Sequence, residues 1–259
     1  TLAQGAGKAL GVALSLATTA LLTRIFGVNG YGTYAFLTAF VLLFGTVSDW
    51  GTNIIAVREA SQKKDEQGTI FGTTILFRFF LSGAAVILLN LALRINPAWR
   101  EYIAPGTVAS LVLLFLSLKT SLGIIFQATL KLEKTAVVEV FSSFLFLGGV
   151  FLAVNLGKDL TFIMASWVIA TGLSAIVGFV LVGRTSIRSQ ASLIKWVVDK
   201  KVVKRIFWEA LPAGALLLVF NLYNRIDILI LEHFKGPAVV GIYGLSYKIY
   251  DTLVLGAAF

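Results

Sequence analysis

The chain has 259 residues, 58% of them apolar and only 14% charged, with a formal net charge of +9 and a mean hydropathy of +0.88. A soluble domain carries about a quarter charged residues, so the solvent for this chain is lipid. With no cysteine and a single histidine, His233, disulfide frameworks and thiolate chemistry are excluded, and zinc or other metal sites and cofactors are not expected.

A helix needs about 20 apolar residues to cross the hydrocarbon core. Eight such spans are predicted: 2–25, 31–57, 69–93, 104–130, 137–156, 160–183, 208–231 and 238–259. The first is too long for a secretory signal and lacks a small-x-small cleavage site before Arg24. Thr1 is not an initiator methionine and Phe259 ends inside an apolar run, so a piece of a longer protein is expected.

The turn between the first two spans, Gly27-Val28-Asn29-Gly30-Tyr31-Gly32-Thr33-Tyr34, has an echo in Gly236-Pro237-Ala238-Val239-Val240-Gly241-Ile242-Tyr243. Gly27, Gly32 and Tyr34 fall on Gly236, Gly241 and Tyr243 at a constant offset of 209 residues. Each copy ends one span and opens the next. Such a long-period echo suggests a duplicated architecture.

Connections sort by charge. One side carries Arg58, Lys63, Lys64, Lys131, Lys134 and the seven basic residues from Arg184 to Arg205, while the other has Arg24, Arg94, Arg100, Lys158 and Lys235. By the positive-inside rule the first side is cytoplasmic and so is the N-terminus. The basic excess therefore orients a membrane protein, and no nucleic-acid partner is expected. Six spans separate the two glycine turns, so both face outward with the same polarity. The fold class expected is all-α and polytopic, with two lobes related by a parallel repeat.

The expected domains are a six-helix lobe over 1–183, a basic amphipathic interfacial linker over 184–207 and the start of a second lobe over 208–259. The linker mixes basic residues with Leu193, Ile194, Trp196, Val198, Val202 and Ile206, a composition suited to an anionic headgroup layer. A basic disordered loop is the plainer alternative. Pro212 is expected in the first turn of the seventh span, where proline is tolerated.

Polar residues recur at helical spacing: Gln4, Lys8, Gly11, Ser15 and Thr18 in the first span, and Thr38, Gly45, Asp49 and Thr52 in the second. Thr74, Arg78 and Ser82 follow in the third, with Ser110, Ser117, Thr120, Ser121 and Gln127 in the fourth. Small-residue stripes also serve close helix packing. Charges are another matter, since each costs roughly 2.5 to 3.5 kcal/mol at the centre of an inserted helix. At about 1.5 Å per residue, Asp49, Arg78 and Lys119 lie roughly 12, 13 and 16 Å from the cytoplasmic ends of their spans. Asp49 can neutralise one cation, which leaves one unmatched, and an unmatched cation persists in a bilayer only beside water or a visiting anion. In the seventh span Arg225 and Asp227 point to different sides, and in the eighth Lys248 and Asp251 are spaced to pair with each other.

Arg24-Ile25-Phe26-Gly27-Val28-Asn29-Gly30-Tyr31-Gly32-Thr33-Tyr34, Ser48-Asp49-Trp50-Gly51, Val57-Arg58-Glu59-Ala60, Arg225-Ile226-Asp227, Val240-Gly241-Ile242-Tyr243 and Lys248-Ile249-Tyr250-Asp251 carry a resemblance. The chain resembles the polysaccharide biosynthesis (O-antigen, Wzx-like) flippases of the multidrug/oligosaccharidyl-lipid/polysaccharide exporter superfamily. The resemblance implies two MATE-like six-helix lobes around a central cavity, alternating access, and a polyprenyl-pyrophosphate-linked oligosaccharide as substrate. It implies membrane lipid as surroundings, a coupling ion (H+ or Na+) and polysaccharide polymerase machinery as further partners, and the cytoplasmic membrane of a prokaryote as location. Basic residues commonly line these cavities for the pyrophosphate; the candidates are Arg24, Arg78, Lys119 and Arg225. Asp49, Asp227 and Arg58 match motif positions, with a coupling or structural role. Two full repeats would need about 160 residues more.

Three other classes compete. An ion-coupled drug exporter of the same superfamily would want buried acids for cationic drugs, whereas cations prevail at mid-depth here. A membrane glycosyltransferase, polymerase or ligase needs a sizeable face to carry its catalytic groups, and the outer connections are too short to build one. A membrane scaffold would have no use for buried charge.

Overall fold

Helix α1 (Leu2–Asp49) is interrupted at Gly27, whose φ of 66° and ψ of −174° fall in a region essentially reserved for glycine. A straight helix of this length would span ~72 Å, more than twice the hydrocarbon core. The break folds it into two antiparallel limbs, so that Ser15 and Thr19 of the first line one cavity with Thr38 and Leu42 of the second. At the 209-residue offset, Gly236 (φ 76°, ψ 179°) separates α8 (Lys200–Lys235) from α9 (Pro237–Ala257) in the same conformation.

The protein structure is a computed structural model that describes residues 2–189 and 194–257, with side chains for 5–184, 194–250 and 252. Between α1 and α8 lie α2 (Thr52–Gln62), α3 (Gln67–Ile95), α4 (Ile103–Ser110), α5 (Val112–Ala128), α6 (Leu132–Asn155) and α7 (Leu160–Ser189). Among the described residues the regular structure is all helical. Six apolar helical stretches are long enough to cross a membrane, and the first, Gly5–Gln62, is the folded pair of limbs together with α2. Counting α1 twice, α4 with α5 as one, and α9, the described residues form eight helical limbs, in line with the eight spans expected.

Two apolar clusters hold these helices together. One, toward the glycine-turn end, gathers Leu22, Phe36, Phe40, Leu89, Leu113, Met164 and Val240. The other, toward the basic end, gathers Ile55, Phe71, Ile125, Val182, Ile206 and Ala210. Between them lies a polar layer: Thr46, Ser48, Thr52, Arg78, Ser82, Ser117, Ser121, Thr171 and Ser174 are all buried. Helices α3, α5 and α7 each change from apolar to polar and back along their buried faces, and α1 turns polar over its last turn. With no apolar driving force between helices in lipid, such hydroxyls bond to the carbonyl a turn earlier and let backbones approach closely.

Three features depart from the expected elements. The second span does not run straight to Val57, because Trp50 (φ 43°) and Gly51 (φ 69°) break it just after Asp49. Gly51 is required there twice over, since a Cβ would collide with the backbone of Ala213 and Gly214. In the connection before α8, residues 194–199 are not helical and are strapped onto α3, with the Lys195 amide donating to the Gly68 carbonyl (2.9 Å) and the Thr73 hydroxyl to the Val197 carbonyl (2.8 Å). Asp199 then caps α8 through the Lys201 amide (2.8 Å). The seventh span consequently starts at Lys200, eight residues before Trp208, and Pro212 lies well inside the helix. Leu193 and the side chains of Gln4, Arg188 and Asp251, including the expected Lys248–Asp251 pair, fall outside the described residues.

Candidate functional site

The break at Trp50–Gly51 sets the position of Asp49. Its carboxylate caps α2, accepting the Asn53 amide at 3.2 Å, and turns toward Arg78 of α3, whose Nη1 lies 3.5 Å from Oδ1. The Arg78 side chain is 2% exposed and that of Asp49 33%. Nη2 of Arg78 donates to the Thr120 hydroxyl of α5 at 2.8 Å. Nε and Nη1 of Arg78, with the Ser48 and Ser117 hydroxyls, are buried without a hydrogen-bond partner. Unpaired buried donors of this kind cost about 1–3 kcal/mol each, more when charged.

These groups border a cavity of about 370 Å³ that Asn221 and Arg225 of α8 close from the other side. A second cavity of about 260 Å³ lies toward the glycine turns, between both limbs of α1 and helices α6 to α9. Leu42 and Arg225 line both, so the two spaces adjoin at these residues. Arg225 takes part in none of the ion pairs among the described residues. Of the polar stripe expected in the first span, Ser15 and Thr18 line the second cavity, while Lys8 is exposed.

Arg78 and Arg225 line one space. Lys119 does not. Its ammonium pairs with Glu139 of α6 at 2.9 Å and lines neither cavity. The reason is helical geometry: Ser117 and Thr120 aim at Arg78, and Lys119, about 100° around from Thr120, must aim at α6. The expected layer of three charges with one cation unmatched is corrected accordingly, because Arg78 and Lys119 each face a carboxylate. Sequence spacing contained Glu139 but no signal that joined it to Lys119 across two helices.

Arg24 is exposed near the glycine turn and lines neither cavity. Arg58 pairs with Glu209 of α8, and one helical step away Arg205 bridges Glu59 (2.9 Å) and Glu66 (3.3 Å). Those contacts clasp α2 to α8 at the basic end. Asp227 accepts a hydrogen bond from the hydroxyl of Tyr243, the repeat tyrosine of α9. At the glycine-turn end Glu232 of α8 is 6% exposed and accepts from the Trp99 indole and the Tyr102 hydroxyl. Sequence reasoning missed Glu232, for which the aromatic pair before the fourth span was the available signal. Among the described residues no three of His, Cys, Asp and Glu converge as metal ligands would.

The family model described as polysaccharide biosynthesis protein matches residues 2–259. No curated protein sequence matches the chain. Among solved structures, the MATE multidrug transporter DinF-BH, solved as a complex, superposes with a TM-score of 0.66 at 17% identity, over 97% of this chain and 59% of that one. An outward-facing multidrug resistance MATE family transporter of the MOP superfamily gives a TM-score of 0.69 at 13% identity, over 98% of this chain and 60% of that one. The likeness to these structures is one of fold, and the chain spans about three fifths of their length. The chain belongs to the polysaccharide biosynthesis protein family.

Proposed function

We propose that this protein moves a polyprenyl-pyrophosphate-linked oligosaccharide from the inner to the outer leaflet of a prokaryotic cytoplasmic membrane by alternating access, with the basic end and the N-terminus in the cytoplasm. The observation that carries the reading is Arg78, a guanidinium 2% exposed whose Nε and Nη1 make no hydrogen bond beside a cavity shared with Arg225. Donors held ready in a low-dielectric site suit an anion that arrives and leaves, and a guanidinium fork matches phosphate oxygens. A cationic drug finds less there: Asp49 is the one carboxylate bordering the cavity, and it already faces Arg78. A proton or sodium gradient is the proposed driving force, coupled through Asp49 or Asp227.

The test is a flipping assay in liposomes with a polyprenyl-pyrophosphate oligosaccharide loaded in one leaflet. Transfer by the wild-type chain and its loss in Arg78→Ala and Arg225→Ala, with both variants still folded, is the expected result. Transfer of a cationic dye with none of the lipid, or undiminished lipid transfer in both variants, overturns it.

A further inference from the structure

The two cavities offer different hydrogen-bonding faces. Beside Asp49, the first has the Arg78 Nε and Nη1 and the Ser48 and Ser117 hydroxyls, all without a hydrogen-bond partner and able to donate. In the second cavity the hydroxyl protons of Thr19, Thr38 and Ser143 are already given to backbone carbonyls, those of Ser15 (3.0 Å), Tyr34 (2.9 Å) and Glu139 (3.0 Å). Each of these hydroxyls presents only lone pairs to the cavity. Rings complete the wall: Tyr34, Trp167 and Tyr247 line the same space. No Asp or Glu lines it, and its cations, Arg225 and Lys248, lie on α8 and α9.

We infer that the second cavity is a subsite for the sugar residue next to the pyrophosphate, so that the substrate lies with its phosphates at Arg78 and Arg225 and its glycan toward the glycine turns. A sugar ring has C–H faces that pack on aromatic rings and a rim of hydroxyl donors that need acceptors. The phosphates need donors. The order of the cavities along the molecule thus repeats the order of groups along the lipid, with Arg225 at the junction where the glycosidic phosphate would sit. This assignment rests on the flippase reading, and the experiment separates the two.

The chain has no cysteine, so single cysteines can be labelled without background. Ser143→Cys reports the second cavity and Asn221→Cys, at a half-buried position on its wall, the first. The probes are polyprenyl diphosphate, bare or carrying a single glucose or N-acetylglucosamine. A bound ligand slows thiol labelling by the factor 1 + [L]/Kd, about tenfold at nine times Kd. At that concentration both lipids should protect Asn221→Cys about tenfold, while only a sugar-bearing lipid protects Ser143→Cys to that degree. As a second reading that does not depend on the cysteine variants, affinities are compared in Thr38→Val and Trp167→Leu. The preference for the sugar-bearing over the bare lipid should collapse toward unity in both, whereas Arg78→Ala should weaken both lipids and keep their ratio. Protection of Asn221→Cys with equal or no protection of Ser143→Cys overturns the sugar subsite alone. Failure of both lipids to protect Asn221→Cys overturns the flippase reading and the subsite with it.

Discussion

Gly32 and Gly241 pack on each other's helices reciprocally: a Cβ on Gly32 would overlap the Pro237 carbonyl oxygen, and a Cβ on Gly241 the Val28 carbonyl oxygen. Val28 and Pro237 are themselves separated by the 209-residue offset. The contact maps onto itself when the two copies are exchanged, the mark of a two-fold interface. Gly244 extends it, since a Cβ there would lie 3.2 Å from that of Ala35, its own equivalent. The glycine echo in the sequence is thus the axis of the repeat, where two backbones touch.

Gly32→Ala and Gly241→Ala should therefore destabilise the protein to similar extents, by at least the 1–3 kcal/mol that overpacking usually costs. The obstructing atoms are backbone, which has no rotamer to yield. Gly11→Ala, with nothing within 4 Å of a Cβ, is the control and should be close to neutral. Thermal unfolding in detergent reads all three, and a large inequality between Gly32→Ala and Gly241→Ala would deny the reciprocity.

Asp49→Asn should cost more than Arg78→Leu. Removing the carboxylate leaves a cation 2% exposed without a counter-charge, and uncompensated buried charge costs about 3–5 kcal/mol. Removing the guanidinium leaves Asp49, a third exposed to a hydrated cavity and still able to cap α2. The double variant should regain stability relative to Asp49→Asn alone. Unfolding temperatures in detergent test this order, and a neutral Asp49→Asn would refute it.

The spans, the glycine turns and the charged depth of Asp49 and Arg78 were legible because composition and spacing act along one helix. Depth follows from counting residues. Azimuth does not: whether Lys119 faces a cavity or Glu139 depends on which helix lies beside α5, and no residue near Lys119 encodes that. The same holds for Gly51, in the break after α1, and Gly214 of α8, whose backbones meet. The strap at 194–199 was hidden for another reason. Its partners are the Gly68 carbonyl and the Thr73 hydroxyl of α3, and its exposed Trp196, Val197 and Val198 resemble the apolar face of an interfacial helix.

Lys119→Met should leave lipid transfer intact, since the ammonium is held by Glu139 outside both cavities. Its cost appears as stability. The Lys119 side chain is 9% exposed and Glu139 54%, so screening of the acid keeps the pair nearer the surface range of about 0–1 kcal/mol than that of a buried pair. A double-mutant cycle with Glu139→Gln measures the coupling, and loss of transfer in Lys119→Met at normal expression would place its charge in the substrate path.

Glu232 joins α8 to the connection before α4, with Tyr102 donating to Oε1 at 2.8 Å and the Trp99 indole to Oε2. Burial first, and then the hydrogen bond to Glu232, raises the Tyr102 hydroxyl above its ordinary 10.0. For an acid whose folded-state pKa is raised, the stabilising contribution is complete below pH 10 and is lost as pH climbs through the raised value. Between neutrality and that point this dock should be insensitive to pH. Tyr102→Phe should cost about 1.5–3 kcal/mol, the range for a hydrogen bond to a charged group, and should flatten the alkaline limb of stability above the ordinary tyrosine pKa. Glu232→Gln keeps one acceptor but turns an amide donor toward a second donor, so it should cost more than Tyr102→Phe. Detergent unfolding across the alkaline range decides, and an alkaline limb unchanged in Tyr102→Phe would show that the dock does not govern it.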